Sequence, residues 1–219
     1  MRMASTSASS RLKQGHLKQA HLKQAQRREP QQERAALRRA GLLEAAEGLI
    51  AEVGYDGVTM TAIAERAGAS IGTLYDYFPD KTAIAVALKT QYVERGDAHW
   101  KELLSRAKEM TRDELAELFV EGALELVKEL PAYLELMGAP VMYTRSSSLR
   151  RPLRKSVVGA LQAMKPKLAD ERAYIYAEVI VQLIKGMLTV YREAAPRERV
   201  KVAEEFRRLF RLYLMETLG

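Results

Sequence analysis

Cysteine is absent from the 219 residues. That removes disulfides, thiolate nucleophiles and cysteine-held zinc from consideration. Histidine is scarce, and the three present, His16, His21 and His99, have no ligand partners at metal-binding spacing, so no metal is expected. No glycine loop shaped to cradle phosphate and no nucleophile beside a histidine stands in the chain, so no catalytic residue and no cofactor are expected. An enzyme is therefore set aside. Long apolar runs are also missing. The greasiest stretch, 173–190, is broken by Glu178, Gln182 and Lys185, and the opening MRMASTSASS is polar where a signal peptide would be apolar. The expectation is a cytoplasmic protein with no membrane partner.

What is present is helical material. Apolar residues make up 47% and charged residues 29%, and Ala, Leu, Glu, Lys and Arg fill long segments with helical spacing, so the fold class is all-α. The formal charge of +7 is unevenly spread: residues 1–40 hold ten Lys or Arg against two Glu, which leaves residues 41–219 at −1. The positive charge is N-terminal, where it attracts polyanions. Within it lies a short imperfect repeat, LKQGH, LKQAH, LKQAQ, whose five-residue period fits neither a helix stripe nor a strand alternation. Residues 1–32 are read as a flexible basic arm, either tracking phosphates or the minor groove or serving as a flexible, partly helical tail.

From Glu33 the pattern changes. Leu42, Ala46, Leu49, Ile50 and Val53 recur at helical spacing until Gly54 ends the segment. Thr59 is a candidate N-cap for a helix at 60–67, Gly68 stands where a helix stops on a left-handed residue, and Ser70 is a fresh N-cap for a helix at 71–78. Pro79 closes that helix or opens the next one, at 80–104. Further helices are expected at 111–130, 132–142, 149–164, 169–193 and 197–218.

Two short helices joined by Gly68-Ala69-Ser70 describe a helix-turn-helix, in which the first braces the second and the second reads base edges. Ile63, Ala64 and Ala67 can pack against Ile71, Leu74 and Phe78. The outward side then holds Gly72, Thr73, Tyr75, Asp76 and Tyr77. Small residues at the helix start let its backbone approach DNA, Thr73 can meet a base or a thymine methyl, and the hydroxyls of Tyr75 and Tyr77 can reach phosphates, with Lys81 at the rim.

Three runs together, Gly54-Tyr55-Asp56-Gly57-Val58-Thr59, Ile63-Ala64-Glu65-Arg66-Ala67-Gly68-Ala69-Ser70 and Gly72-Thr73-Leu74-Tyr75-Asp76-Tyr77-Phe78-Pro79-Asp80-Lys81, resemble the TetR family of regulators over roughly residues 34–90. The resemblance implies phosphate contacts from Thr59, Thr61, Tyr75, Tyr77 and Lys81, and base or groove contacts from Ser70, Ile71, Gly72 and Thr73. It implies a three-helix DNA-binding domain at 33–82 and a larger helical ligand-binding and dimerisation domain at 83–219.

In that larger part, apolar residues surround the helix at 169–193, so it must be buried on more than one side. The last helix adds Val202, Phe206, Leu209, Phe210 and Tyr213. The pair is either central in a monomer or shared with a second copy in a four-helix bundle. The resemblance implies the homodimer, with Ile180, Ile184, Phe206, Phe210 and Tyr213 at its interface, reading a palindromic operator in double-stranded DNA. It also implies a small-molecule effector, and the candidates to line its cavity are Trp100, Phe119, Tyr133, Met137, Met142, Tyr143 and Met187. Promoter occupancy suffices to block transcription, so the expected function is a repressor released by its ligand. The release would be a population shift in which the helix at 80–104 swings the reading heads out of register. The alternative is a basic-tailed interaction module without ligand sensing.

Overall fold

The computed structural model describes residues 6–139 and 151–219, with side chains for 32–136, 139 and 152–219. Among the described residues the regular structure is helical. The order is α1 (Thr6–Gly57), α2 (Met60–Arg66), α3 (Ile71–Tyr77), α4 (Lys81–Leu104), a single 3-10 turn (Ala107–Glu109), α5 (Arg112–Glu129), α6 (Tyr133–Gly138), α7 (Arg151–Met164), α8 (Asp170–Glu193) and α9 (Arg199–Leu218).

Helix boundaries fall where local chemistry sets them. Gly54 takes φ 74°, a left-handed conformation that interrupts α1 before Tyr55. Thr59, Ser70, Asp80 and Thr111 each turn a side-chain oxygen onto a free N–H of the helix that follows. Thr111 and Glu114 form a reciprocal capping box, and these backbone and hydroxyl donors hold the Glu114 carboxyl below its ordinary range. The helix expected to start at Glu33 continues N-terminally to Thr6, through the stretch read as a flexible, partly helical arm. Residues 11–40 contain no β-branched side chain and are rich in Ala, Leu, Lys, Arg and Gln, which favour a helix, while Gly15 and Pro30 oppose it.

Two apolar cores organise the chain. The first holds together an N-terminal head: Leu42, Leu43, Ala46 and Ile50 of α1, Ile63 and Ala64 of α2, Leu74 of α3 with Phe78, and Ile84, Leu88 and Tyr92 of α4. This core does not stop at residue 82. It also takes in Leu126 and Leu130 from the end of α5, Ala132 from the corner, and Leu136 of α6. Three short helices bury too little apolar surface alone, and these residues add to it.

The second core joins α5, α7, α8 and α9 with the far half of α4. At its centre Phe119 meets Phe210 with ring centroids 5.4 Å apart. Gly122 admits a close approach there: a Cβ at this position would stand 2.7 Å from Leu103 Cδ1 and 3.1 Å from the Trp100 ring. Arg207 of α9 donates to Glu117 and Glu121 of α5, at 2.7 and 2.6 Å, along the edge of the same contact.

By length and composition α8 could cross a membrane. In this fold Ala173, Ala177, Ile180, Val181, Ile184, Met187 and Leu188 are buried in the second core, and Glu178 pairs with Arg154 of α7. One side of its apolar length is thus used against the protein's own helices, while Tyr174, Ile175 and Val190 stay exposed.

Gly68, with φ 61°, fixes the turn that sets α3 against α2. Nothing lies within 4 Å of a Cβ placed there, so Gly68→Ala meets backbone strain without a clash and should cost about 1 kcal/mol of unfolding free energy in urea titration. An unchanged midpoint would show that the left-handed turn is not needed.

Candidate nucleic-acid interface

The two short helices meet through Ile63 and Ala64 on α2 and Leu74 on α3, all buried, with Phe78 closing the far end. The turn between them is held by backbone bonds: Gly68 N–H donates to Glu65 O at 3.1 Å and Ala69 N–H to Ala64 O at 2.9 Å. Ser70 Oγ then accepts from Thr73 N–H at 3.1 Å and lies 2.9 Å from Thr73 Oγ1. Each hydroxyl retains hydrogen-bonding capacity beyond this pair, so the two form a small polar surface at the start of α3.

Along α3 the sequence expectation and the structure agree in most places. Gly72, Tyr75 and Asp76 are exposed, while Thr73 and Tyr77 are half-buried. Tyr75 is 53% exposed, too open to be a core aromatic. Ile71, placed by its spacing on the packing face, is 41% exposed. It stands in the first turn, before α3 settles onto α2, so its side chain belongs to the outward surface. Gly72 leaves room for approach: the nearest atom to a Cβ there is Ser70 Oγ at 3.8 Å.

The remaining candidate contacts fall at two places. Thr59 caps α2, accepting from Ala62 N–H at 3.2 Å, and Thr61 is exposed one turn away. Lys81 is engaged: its Nζ donates to the carbonyls of Tyr55 at 2.8 Å and Asp56 at 3.3 Å and sits 4.5 Å from the centre of the Tyr55 ring. It adds a charged donor to carbonyls at the end of α1, beyond the break at Gly54. This bracing role was not visible in the sequence, because Lys81 and Tyr55 are 26 positions apart.

Two cations beside the interface also escaped the sequence reading. Arg34 and Arg38, exposed on α1, line an open groove of about 400 Å³ with Leu37, Gly41, Leu42 and Ala67, next to the turn of the reading motif. Their i, i+4 spacing is the signal that could have found them. Arg39 lies over the Phe78 ring at 5.2 Å, and Arg66 forms a two-pronged pair with Glu52 at 2.6 Å. The hydrogen bond from Arg66 holds the Glu52 carboxyl below its ordinary range.

Of the cavity candidates, Trp100, Phe119 and Met187 come together in the second core and are buried, with Trp100 and Phe119 rings 6.4 Å apart. Tyr133 is half-buried and packs against both cores, and its burial pushes the phenol up. The side chain of Met137 and the whole of Met142 and Tyr143 lie outside the described residues. The interface candidates need correction. Ile180, Ile184 and Phe210 are buried within their own subunit, because they lie on the sides of α8 and α9 that face the second core. Phe206 and Tyr213 are half-buried, and Tyr213 stands edge-on to Tyr176 at 6.1 Å. The apolar side chains left exposed on these helices include Ile175, Val190, Leu209, Leu212 and Met215.

Residues 42–88 match the sequence pattern of the bacterial regulatory proteins of the tetR family, and residues 111–214 match that of the tetracyclin repressor-like C-terminal domain. The chain belongs to the TetR family. A stretch of 60 residues, 27% of the chain, is 42% identical to the HTH-type transcriptional repressor KstR of Rhodococcus jostii, and one of 57 residues, 26% of the chain, is 39% identical to KstR of Mycobacterium tuberculosis. These matches span 28% and 26% of the curated relatives' length. The whole fold is similar to that of a TetR-family transcriptional regulator from Streptomyces coelicolor, with a TM-score of 0.62 and 24% identity over 82% of this chain and 99% of that one. The TetR fold thus extends well beyond the head, through helices whose sequences have diverged.

Replacing Lys81 tests its bracing role. Lys81→Met should lower stability in urea by about 1–2 kcal/mol through the lost carbonyl bonds. Unchanged stability would mean that those bonds contribute nothing.

Proposed function

We propose that this TetR-family protein is a sequence-specific DNA-binding transcriptional repressor that acts in the cytoplasm as a homodimer and is released from its operator by a small apolar ligand. The observation that carries the reading is the outward face of α3. A short helix starts on a capped, small-residue turn and presents Ile71, Gly72, Thr73 and Tyr75 on a braced scaffold. That is the arrangement a major-groove reader requires. Gly72 and the free N–H groups of the first turn suit close approach to the DNA backbone, Thr73 and Ile71 suit base edges and thymine methyls, and Tyr75 suits a phosphate. Thr59, Thr61, Ser70 and Tyr77 border this face, and Arg34 and Arg38 extend it with positive charge.

The dimer is supported by the exposed apolar side chains of α8 and α9, Ile175, Val190, Leu209, Leu212 and Met215. A two-fold pair would place two reading heads on half-sites one helical turn or a multiple apart, ~34–36 Å per turn. Ligand release is supported by the aromatic and thioether content of the second core, with Trp100, Phe119, Tyr133 and Met187 as its described candidates for an apolar cavity, while the candidates Met137, Met142 and Tyr143 rest on the sequence alone.

The test is selection of genomic fragments by the full chain, followed by titration of the enriched duplex at several salt concentrations. A two-fold-symmetric site should emerge, and Arg38→Ala should weaken binding on all duplexes alike while reducing the slope of log affinity against log salt by about 1. Enrichment of no sequence, with binding abolished once residues 1–32 are removed, would instead make the basic arm the binding element.

A further inference from the structure

The core of the reading head is completed from outside the head. Leu126, Leu130, Ala132, Leu136 and Ala139 belong to the end of α5, the corner after it and α6, yet they pack with Leu42, Leu43, Ala46 and Ile50 of α1 and with Leu88 and Tyr92 of α4. Helix α6 lies directly against α1. The head therefore meets the larger domain along two routes, the continuous rod of α4 and this contact of α6 with α1.

One polar side chain stands where the routes meet. Tyr92 of α4 is 4% exposed. Its hydroxyl donates to Glu47 Oε1 of α1 at 2.5 Å and accepts the N–H of Ala132 at 3.3 Å, just ahead of α6. Both hydrogen-bonding roles are filled, by two different elements. Burial, and then the bond to Glu47, push the phenol far above its ordinary range, so it remains a donor at any working pH. Its ring lies 6.0 Å from that of Tyr133, tilted by 41°. Tyr133 opens α6 and packs against the second core as well as the first.

Packing alone would need only the ring. The hydroxyl adds directional bonds that hold α1 and the start of α6 in one relative position, and a small displacement breaks them because hydrogen bonds weaken steeply with misalignment. A molecule entering the second core beside Tyr133 would press on this point without first moving α4.

We infer that Tyr92 is a positioning residue that couples the second core to the reading head, its hydroxyl tying Glu47 on α1 to Ala132 at the start of α6. The inference rests on the DNA-binding reading above. By reciprocity, whatever α6 transmits to the head, DNA bound at the head transmits to α6.

Hydrogen exchange on the full-length protein, free and saturated with the enriched operator duplex, reads this coupling without a known effector. In the natural protein, operator binding should slow exchange at α3 and also at residues 132–136. In Tyr92→Phe, operator affinity should fall by about two- to thirtyfold. At saturating duplex the slowing at α3 should persist, while that at 132–136 should shrink by half or more. Glu47→Ala, which leaves the tyrosine ring packed, should behave in the same way and gives the result if Tyr92→Phe does not fold. Glu47→Gln, which keeps an acceptor for the hydroxyl, should restore the slowing at 132–136. A merely structural role would change the free protein's exchange and leave the operator-induced difference intact. Full operator-induced slowing at 132–136 in Tyr92→Phe and Glu47→Ala, or none in the natural protein, would overturn the inference. Failure of the natural protein to bind any enriched duplex is scored separately in the titration and would overturn the DNA-binding reading itself.

Discussion

The helix α3 leaves one face bare, as the proposed reading of DNA would require, and the packing of the N-terminal helices answers to that constraint. The helix α3 is seven residues long, and an isolated helix of that length is unstable in water. Its inward side chains are few, with Leu74 buried and Phe78 closing the end. Stability has to come from neighbours, so α2 braces it through Ile63 and Ala64, α1 lays Leu42, Leu43, Ala46 and Ile50 behind both, and α4 and the α5–α6 corner complete the core. The outward surface of small, hydroxyl and aromatic side chains is free to serve recognition because the inward surface is packed on so many others.

Completing the core from the larger domain has a mechanical result. A head that folded alone could tumble on a flexible connection, and its spacing from a second head would be loose. Here α4 enters the head as one continuous helix and α6 rests on α1, so the orientation of α3 depends on the larger domain. A transcription factor can be switched only if such dependence exists, because a ligand shifts an equilibrium no further than its preference for one of the two arrangements. The same contacts that stabilise α3 are therefore the ones through which it can be controlled.

Much of the head was legible in the sequence because its signals are local. Thr59 and Ser70 mark helix starts by side-chain bonds that reach only three residues, and Gly54 and Gly68 mark stops by their own backbone conformation. What was not legible depends on distant partners. Nothing near Lys81 says that its ammonium will reach the carbonyls of Tyr55 and Asp56, and nothing near Leu130 or Leu136 says that they join the core of α1. For α8 and α9 the limit is different: a helix apolar on most sides does not declare which side faces its own subunit, so Ile180, Ile184 and Phe210 could not be told from outward residues such as Ile175 and Leu209. At the N-terminus a missing apolar stripe suggested a flexible, partly helical arm from 1 to 32, and a missing stripe says nothing of how far back a helix runs, here to Thr6.

The central claim, that paired α3 helices enter the major groove, is tested most directly by methylation interference on the enriched duplex, since methylating guanine N7 modifies the major-groove edge. The account predicts two patches of interference related by two-fold symmetry and separated by one helical turn or a multiple of it, ~34–36 Å per turn. Binding insensitive to N7 methylation throughout, or interference in a single unpaired patch, would contradict it.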